Sequence, residues 1–264
     1  MISTQFVEAA SAQLTTFVVI MARMSMTFTT LFIFNKEMVP VKISMILSLA
    51  LALFVLMSGR VDTLHLDLSS PLMISTLMAQ LFLGFIMGFI INLFIELFLA
   101  LGQIISIQAG LGFVSLYVPR VGTITPLSRF FMIFATLLFF ELNGHLVLIN
   151  MMIDSFQVNF VKLDKINPAE LNKILLFAKI IFSGSLMLSL SVIIALLISN
   201  ITIAVMTKFA QQLNIFSIGI NISLIIAFFV VYICFDAILE NGTILMNDIL
   251  RFADITDKSM FHHE

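Results

Sequence analysis

LMISTLMAQLFLGFIMGFIINLFIELFLAL, residues 72–101, carries a single charged side chain, Glu96. A helix that crosses a bilayer needs about 17–25 mostly apolar residues, and this run exceeds that. It reads as a membrane helix long enough to tilt, kink or protrude from the lipid. Gly84 and Gly88 within it are expected points of flexure. Their four-residue spacing also permits close helix approach, although glycine pairs are frequent enough in membrane helices for that signal to be weak.

The rest of the chain agrees. Of 264 residues, 61% are hydrophobic and 11% charged, against about 45–50% and about 25% in soluble domains. Mean hydropathy is +1.15. Such a surplus of apolar surface needs a nonaqueous solvent, so the expected fold class is an all-α membrane protein. Thirteen basic and fifteen acidic residues are spread thinly, with no basic stripe of the kind that binds nucleic acid. Cys234 is the sole cysteine, which excludes an intrachain disulfide and a cysteine-based metal cluster. Residues 1–13 lack Lys and Arg, and the apolar run after them is too long for a secretory signal core and contains Arg23. The N-terminus is therefore expected to be mature.

Six apolar runs qualify as spans or come near: Thr15–Phe34, Val41–Met57, Leu72–Leu101, Phe130–Ile153, Ile174–Ile203 and Leu213–Leu239. Gly184 is a further expected flexure point, in the fifth. The joints are short, which favours antiparallel hairpins. Ser69-Ser70-Pro71 reads as a helix cap followed by proline at the first helical position. Lys and Arg divide almost evenly between alternate loops, so the positive-inside rule gives no orientation.

Between two very apolar helices lies GQIISIQAGLGFVSLYVPRVGTITPLSR, residues 102–129. Glycine and proline make a continuous helix improbable there, while the segment is too apolar for a solvated loop. Irregular backbone at membrane depth survives only buried in protein or lining a cavity. One reading is a re-entrant segment or pore constriction, with Leu111, Phe113 and Tyr117 as bulky stoppers on a glycine frame. The other is an amphipathic interfacial turn with no role in transport. Pattern alone does not separate them.

Arg23, Asn92, Glu96, Glu141, His145 and Asp236 sit inside apolar runs. A charge at the centre of a membrane helix costs roughly 2.5–3.5 kcal/mol on insertion scales, so each should face protein or water. They could form a proton or ion relay, as in a proton-coupled secondary transporter using Glu96, Glu141 and His145. The commoner arrangement is interhelical pairing, for example Arg23 with Glu96 or Glu141. Glu141 and His145 are four apart, on one face of a continuous helix, but a zinc-protease H-E-x-x-H motif is absent and no third ligand offers itself. No metal, no cofactor and no catalytic residue is assigned, since neither G-x-S-x-G nor a phosphate-binding glycine loop occurs.

The stretches GQIISIQAGLGFVSLYVP, FFELNGHLVLI and QQLNIFSIGINISL, preceded by ARMSMTF from Ala22 and VPVKISMILSLALAL from Val39, resemble the FliR family of flagellar biosynthesis proteins. These are membrane components of the type III protein export gate, related to the SpaR and YscT proteins of injectisomes. The resemblance covers nearly the whole chain. Its most specific parts are Asn143-Gly144-His145-Leu146 and the run Leu213, Asn214, Ile215, Phe216, Ser217, Ile218, Gly219, and they favour the flagellar branch.

The resemblance implies a non-enzymatic subunit that assembles with FliP and FliQ, alongside the export components FlhB and FlhA. That assembly is a helically arranged gate at the flagellar basal body of the bacterial inner membrane, admitting unfolded flagellar proteins. It further implies a FliP-like four-helix region over 1–166 and a FliQ-like hairpin with a C-terminal tail over 167–264, the hairpin being consistent with a polar break at 200–212 inside an otherwise apolar pair. The family's plug loop maps onto Gly110, Leu111, Gly112 and Phe113, with Tyr117 and Pro119 following, and this favours the pore-constriction reading. Arg23, Glu96, Glu141, Asn143 and His145 become candidate assembly residues. The sequence departs from the family pattern at Val118, where many relatives carry an acid before the proline.

Overall fold

The computed structural model describes residues 2–31, 40–59, 61, 63–64, 70–113, 116–118, 122–156, 168–209 and 215–261. Among these the chain is all-α apart from one small hairpin. Its helices are α1 (Ile2–Thr30), α2 (Val41–Met57), α3 (Pro71–Gln108), α4 (Pro126–Glu141), α5 (Gly144–Ser155), α6 (Pro168–Phe209) and α7 (Ile215–Phe261). By length and composition α3, the Phe182–Met206 part of α6 and the Ile222–Phe252 part of α7 can cross a membrane. The broken pair α4–α5 makes a fourth if counted as one span.

α2 coincides with its apolar run, and Ser70 caps α3 as expected, its Oγ accepting from Met73 N at 3.2 Å with Pro71 at the first helical position. Two expectations change. The run Phe130–Ile153 is two helices, because α4 ends at Glu141 with Leu142 as its C-cap and Asn143 adopts a left-handed conformation, φ 56°. The outer helices also extend well past their apolar runs, α1 back to Ile2 and α7 on to Phe261. Hydropathy sees the lipid-compatible part of a helix and is blind to its polar ends.

The chain divides into two compact units. The first comprises residues 1–92, 143–176 and 248–264. Here α1 packs against α2, and its buried positions Ala12, Thr15, Thr16, Val19, Ile20, Arg23, Met24, Thr27 and Phe28 recur every three to four residues, as one helical face requires. α2 is apolar nearly all round and turns its small side inward. Ser44, Ser48, Ala52 and Val55 are buried, while Ile43, Ile46, Leu53 and Phe54 are exposed. This small-in, large-out order is characteristic of helices packed in lipid, where backbone proximity replaces the hydrophobic effect as the source of helix association.

Gly84 and Gly88 act in the same way. A Cβ on Gly84 would lie 2.5 Å from the Arg23 carbonyl oxygen, and one on Gly88 would lie 2.7 Å from Thr30 Cβ. α3 runs through both glycines as one helix, so they serve close approach to α1 rather than flexure. Asn92 closes this seam, its Nδ2 donating to the carbonyl of Thr30, the last residue of α1, at 2.6 Å.

The second unit comprises residues 93–142 and 177–247. Its core is a chain of rings: Phe94 to Phe98 at 5.1 Å between centroids, Phe98 to Phe134 at 5.7 Å and Phe134 to Phe235 at 5.2 Å. Edge-to-face and tilted pairs at such spacing are favourable beyond the area they bury, and here they tie α3, α4 and α7 together. Gly242 of α7 makes room for Phe98, whose Cζ would be 2.7 Å from a Cβ at that position. Leu186, Leu190, Leu197 and Ile201 of α6 and Ile225, Phe228, Phe229 and Tyr232 of α7 are exposed, a surface suited to lipid or to other apolar helices.

Candidate functional site: a glycine-framed hairpin between two apolar helices

α3 stops where the sequence ceases to support a helix. Ala109 N and Gly110 N still donate to Ile105 O and Ile107 O, and Gly110 then takes φ 78°. That is the left-handed position at which helices commonly end on glycine. A single 3₁₀ turn, Leu111–Phe113, follows. Next come two short antiparallel strands, β1 (Leu116–Val118) and β2 (Gly122–Ile124), paired Leu116 to Ile124, Tyr117 to Thr123 and Val118 to Gly122. Gly122, at φ 88°, is the second left-handed glycine. Of the cross-strand pair nearest the helices, Leu116 is 38% exposed and Ile124 only 3%, so the hairpin's base is seated in the second unit.

The return into α4 is stapled. Thr125 is its N-cap, accepting from Ser128 N at 3.3 Å, and Pro126 occupies the first helical position. Gln103 Oε1 of α3 accepts from Thr125 N at 3.4 Å and from Ser128 Oγ at 2.8 Å, and Thr125 Oγ1, 3.3 Å from the same oxygen, lies 2.7 Å from Ser106 Oγ, to which it can give its one proton. Ser106, Thr125 and Ser128 are all buried. The two helices come this close because residue 102 is glycine: a Cβ there would stand 2.6 Å from Ser128 Cα. The backbone between is thus held by a polar cluster in which each group has a partner, a condition that buried polar groups must meet. Sequence reasoning missed this cluster, although Thr-Pro-x-Ser after a glycine-rich segment is a helix-start signal.

The sequence-derived site residues fall as follows. Gly110, Leu111, Gly112 and Phe113 form the helix end and the 3₁₀ turn, and Tyr117 lies in β1. Pro119 lies outside the described residues, as do Leu213 and Asn214. Ile215, Phe216, Ser217 and Gly219 belong to the first turns of α7.

Arg23 is 0% exposed. Its Nε donates to Gln80 Oε1 at 2.6 Å, its Nη1 donates to Ser155 Oγ, and its guanidinium lies 4.2 Å from the centre of the Phe156 ring. Among the described residues the expected pairing with Glu96 or Glu141 is not found. Both carboxylates are exposed and make no hydrogen bond or ion pair among the described residues. Glu141 closes α4 while His145 opens α5, so the four-residue spacing does not set them on one helical face. Asn143, between them, is exposed and left-handed.

The family of bacterial export proteins, family 1, matches residues 14–249. Similar relatives include the flagellar biosynthetic protein FliR of Buchnera aphidicola subsp. Baizongia pistaciae, 28% identical over 78% of this chain and 79% of that one. FliR of Escherichia coli K12 is 34% identical over 47% of this chain and 48% of its own. The surface presentation of antigens protein SpaR of Shigella flexneri is 25% identical over 69% of this chain and 72% of its own. With a membrane-helix fold and a family match over most of its length, this chain belongs to the bacterial export proteins, family 1, the FliR and SpaR family of type III export components.

Proposed function

We propose that the chain is a non-enzymatic subunit of the flagellar type III export gate in the bacterial inner membrane. In this reading it forms, with FliP and FliQ and beside FlhA and FlhB, the pore through which unfolded flagellar proteins leave the cell. Residues 1–166 act as the FliP-like part and residues 167–264 as the FliQ-like part. The loop Gly110–Pro119 is the plug of the resting pore.

The observation that carries this reading is the mounting of the hairpin. A short apolar loop turns on two left-handed glycines and springs from two apolar helices bolted together by the Gln103–Ser106–Thr125–Ser128 cluster. Non-helical backbone of this kind persists at membrane depth where it is enclosed by protein or lines a conduit. An apolar constriction blocks ions by dewetting, and a loop without long secondary structure yields to a chain threading through.

Deleting Gly110–Pro119 tests the reading. Cells carrying the shortened chain should leak ions across the inner membrane while the chain still enters a large complex, seen by native mass spectrometry. Wild-type impermeability in an intact complex would overturn the plug assignment, and a chain that never leaves the monomer would overturn the gate.

A further inference from the structure

Apart from Asn172 near its start, Asn200 is the only amide side chain of α6, set in the apolar run ALLISNITIAV. Its Nδ2 donates to the carbonyl of Gln108 at 3.2 Å, and its Oδ1 accepts from Ser223 Oγ of α7 at 2.8 Å. All three residues belong to the second unit. The amide orientation follows from its partners, since exchanging nitrogen and oxygen would set the amide NH₂ toward the serine and the amide oxygen against the carbonyl.

Gln108 is the last residue of α3, and the last four carbonyls of a helix lack an intrahelical donor. Ile105 O and Ile107 O are used by the chain's own backbone. Gln108 O, two residues before the left-handed Gly110, is used by Asn200. The start of the hairpin is therefore held from α6, and the residue that holds it is braced from α7, whereas its end is held by α3 itself through Gln103. The two anchors differ in kind: one is internal to the α3–α4 pair, the other reaches the loop from the C-terminal helices.

We propose that Asn200 is a positioning residue for the plug: it fixes the Gln108–Gly110 end of the loop to the α6–α7 hairpin, so that the state of α6 and α7 sets whether the pore is sealed. This rests on the plug reading above. The chemistry suits a latch. A side-chain hydrogen bond between membrane helices is worth little in equilibrium terms, so a modest rearrangement of α6 against α7 is enough to release it. While made, it satisfies a carbonyl that would otherwise face apolar surroundings.

The test measures ion leak across the inner membrane of cells bearing the chain in its native gate, with membrane levels of the chain followed in parallel. Asn200→Leu removes both hydrogen bonds with little change of size and should raise the leak about threefold, the factor that a typical interhelical hydrogen bond supplies. Ser223→Ala should shift it less in the same direction, and the double variant should leak no more than Asn200→Leu, because both act through one contact. Asn92→Leu, which removes an asparagine capping a different helix end, should leave the leak at wild-type level whatever it does to chain abundance.

If Asn200→Leu is lost from the membrane, Ser223→Ala alone decides, a wild-type leak overturning the latch. Wild-type leak in both variants, beside a leaking Gly110–Pro119 deletion, overturns the latch and leaves the plug standing. No leak in the deletion itself overturns the plug, and the latch with it.

Discussion

Arg23 Nε and Gln80 Oε1 lie 2.6 Å apart in a site where the arginine has no solvent exposure. The side chains come from α1 and α3, and Ser155 at the end of α5 completes the contact through Nη1. Three segments that are distant in sequence thus meet on one cation. A buried guanidinium is tolerable only when paired or hydrogen-bonded, so its neighbours bear on stability more than on chemistry.

Gln80→Leu takes away the acceptor and leaves the charge. Hydrogen bonds to charged groups contribute about 1.5–3 kcal/mol, and a loss in that range is expected in the thermal unfolding of the purified protein. Arg23→Lys should also be destabilising. An ammonium cannot present the planar fork that reaches Gln80 and Ser155 together while lying over the Phe156 ring. Wild-type thermal stability for both variants would remove Arg23 from the role of internal tie.

Gly84→Ala places a methyl group 2.5 Å from a backbone oxygen of α1, which no side-chain rotation can relieve. The expected result is separation of α1 from α3, weakening the Arg23–Gln80 contact nearby, with a cost of about 1–3 kcal/mol typical of overpacking. Gly184→Ala is the control: its nearest neighbours are leucine methyls at 3.6 and 3.7 Å, ordinary contact distances. Membrane abundance of the two variants after arrest of synthesis should differ, with the Gly84 variant short-lived and the Gly184 variant close to wild type.

The Gly84–Gly88 spacing was visible in the sequence, yet its partner was not. That a run of residues is helical and apolar follows from composition, which is why α2 is legible to the residue and the start of α3 nearly so, whereas α3 runs on past Leu101 to Gln108, into the glycine-bearing segment read as non-helical. Which helices touch depends on rotation and register between segments far apart in the chain. No periodicity within α1 announces Gln80 or Ser155 as partners of Arg23. The hairpin at residues 116–124 escaped for a different reason. Its strands are three residues long, too short for an alternation to register, although the glycines that turn them read as breakers of helix. The break at Leu142–Asn143 was masked by the hydrophobicity around it, even though Asn-Gly is a turn signal.

At that break, Asn143 adopts φ 56° and ψ 26°. Asparagine tolerates this region better than other non-glycine residues because its short polar side chain interacts locally with the backbone. Asn143→Gly should keep the break and be nearly neutral, whereas Asn143→Ala should cost about 1 kcal/mol and Asn143→Val more. Limited proteolysis of the membrane-embedded protein reads this order directly. Equal resistance of the glycine and valine variants would mean that the left-handed turn is not required.

The two glycines of Gly110-Leu111-Gly112-Phe113 are chemically identical and structurally different, and this separates a frame from a spacer. Gly110 sits at φ 78°, where a Cβ is strained by about 1–2 kcal/mol. Gly112 has an ordinary φ, and a Cβ there would find nothing nearer than Ile107 at 3.8 Å. Gly110→Ala should therefore disturb the end of α3, and with it the seat of the proposed plug, raising ion leak and reducing export of flagellar protein to the medium. Gly112→Ala should seal and export as the wild type does. The reverse order would mean that the loop's function depends on bare backbone at residue 112, as when a neighbouring subunit packs there, rather than on the left-handed turn that ends α3.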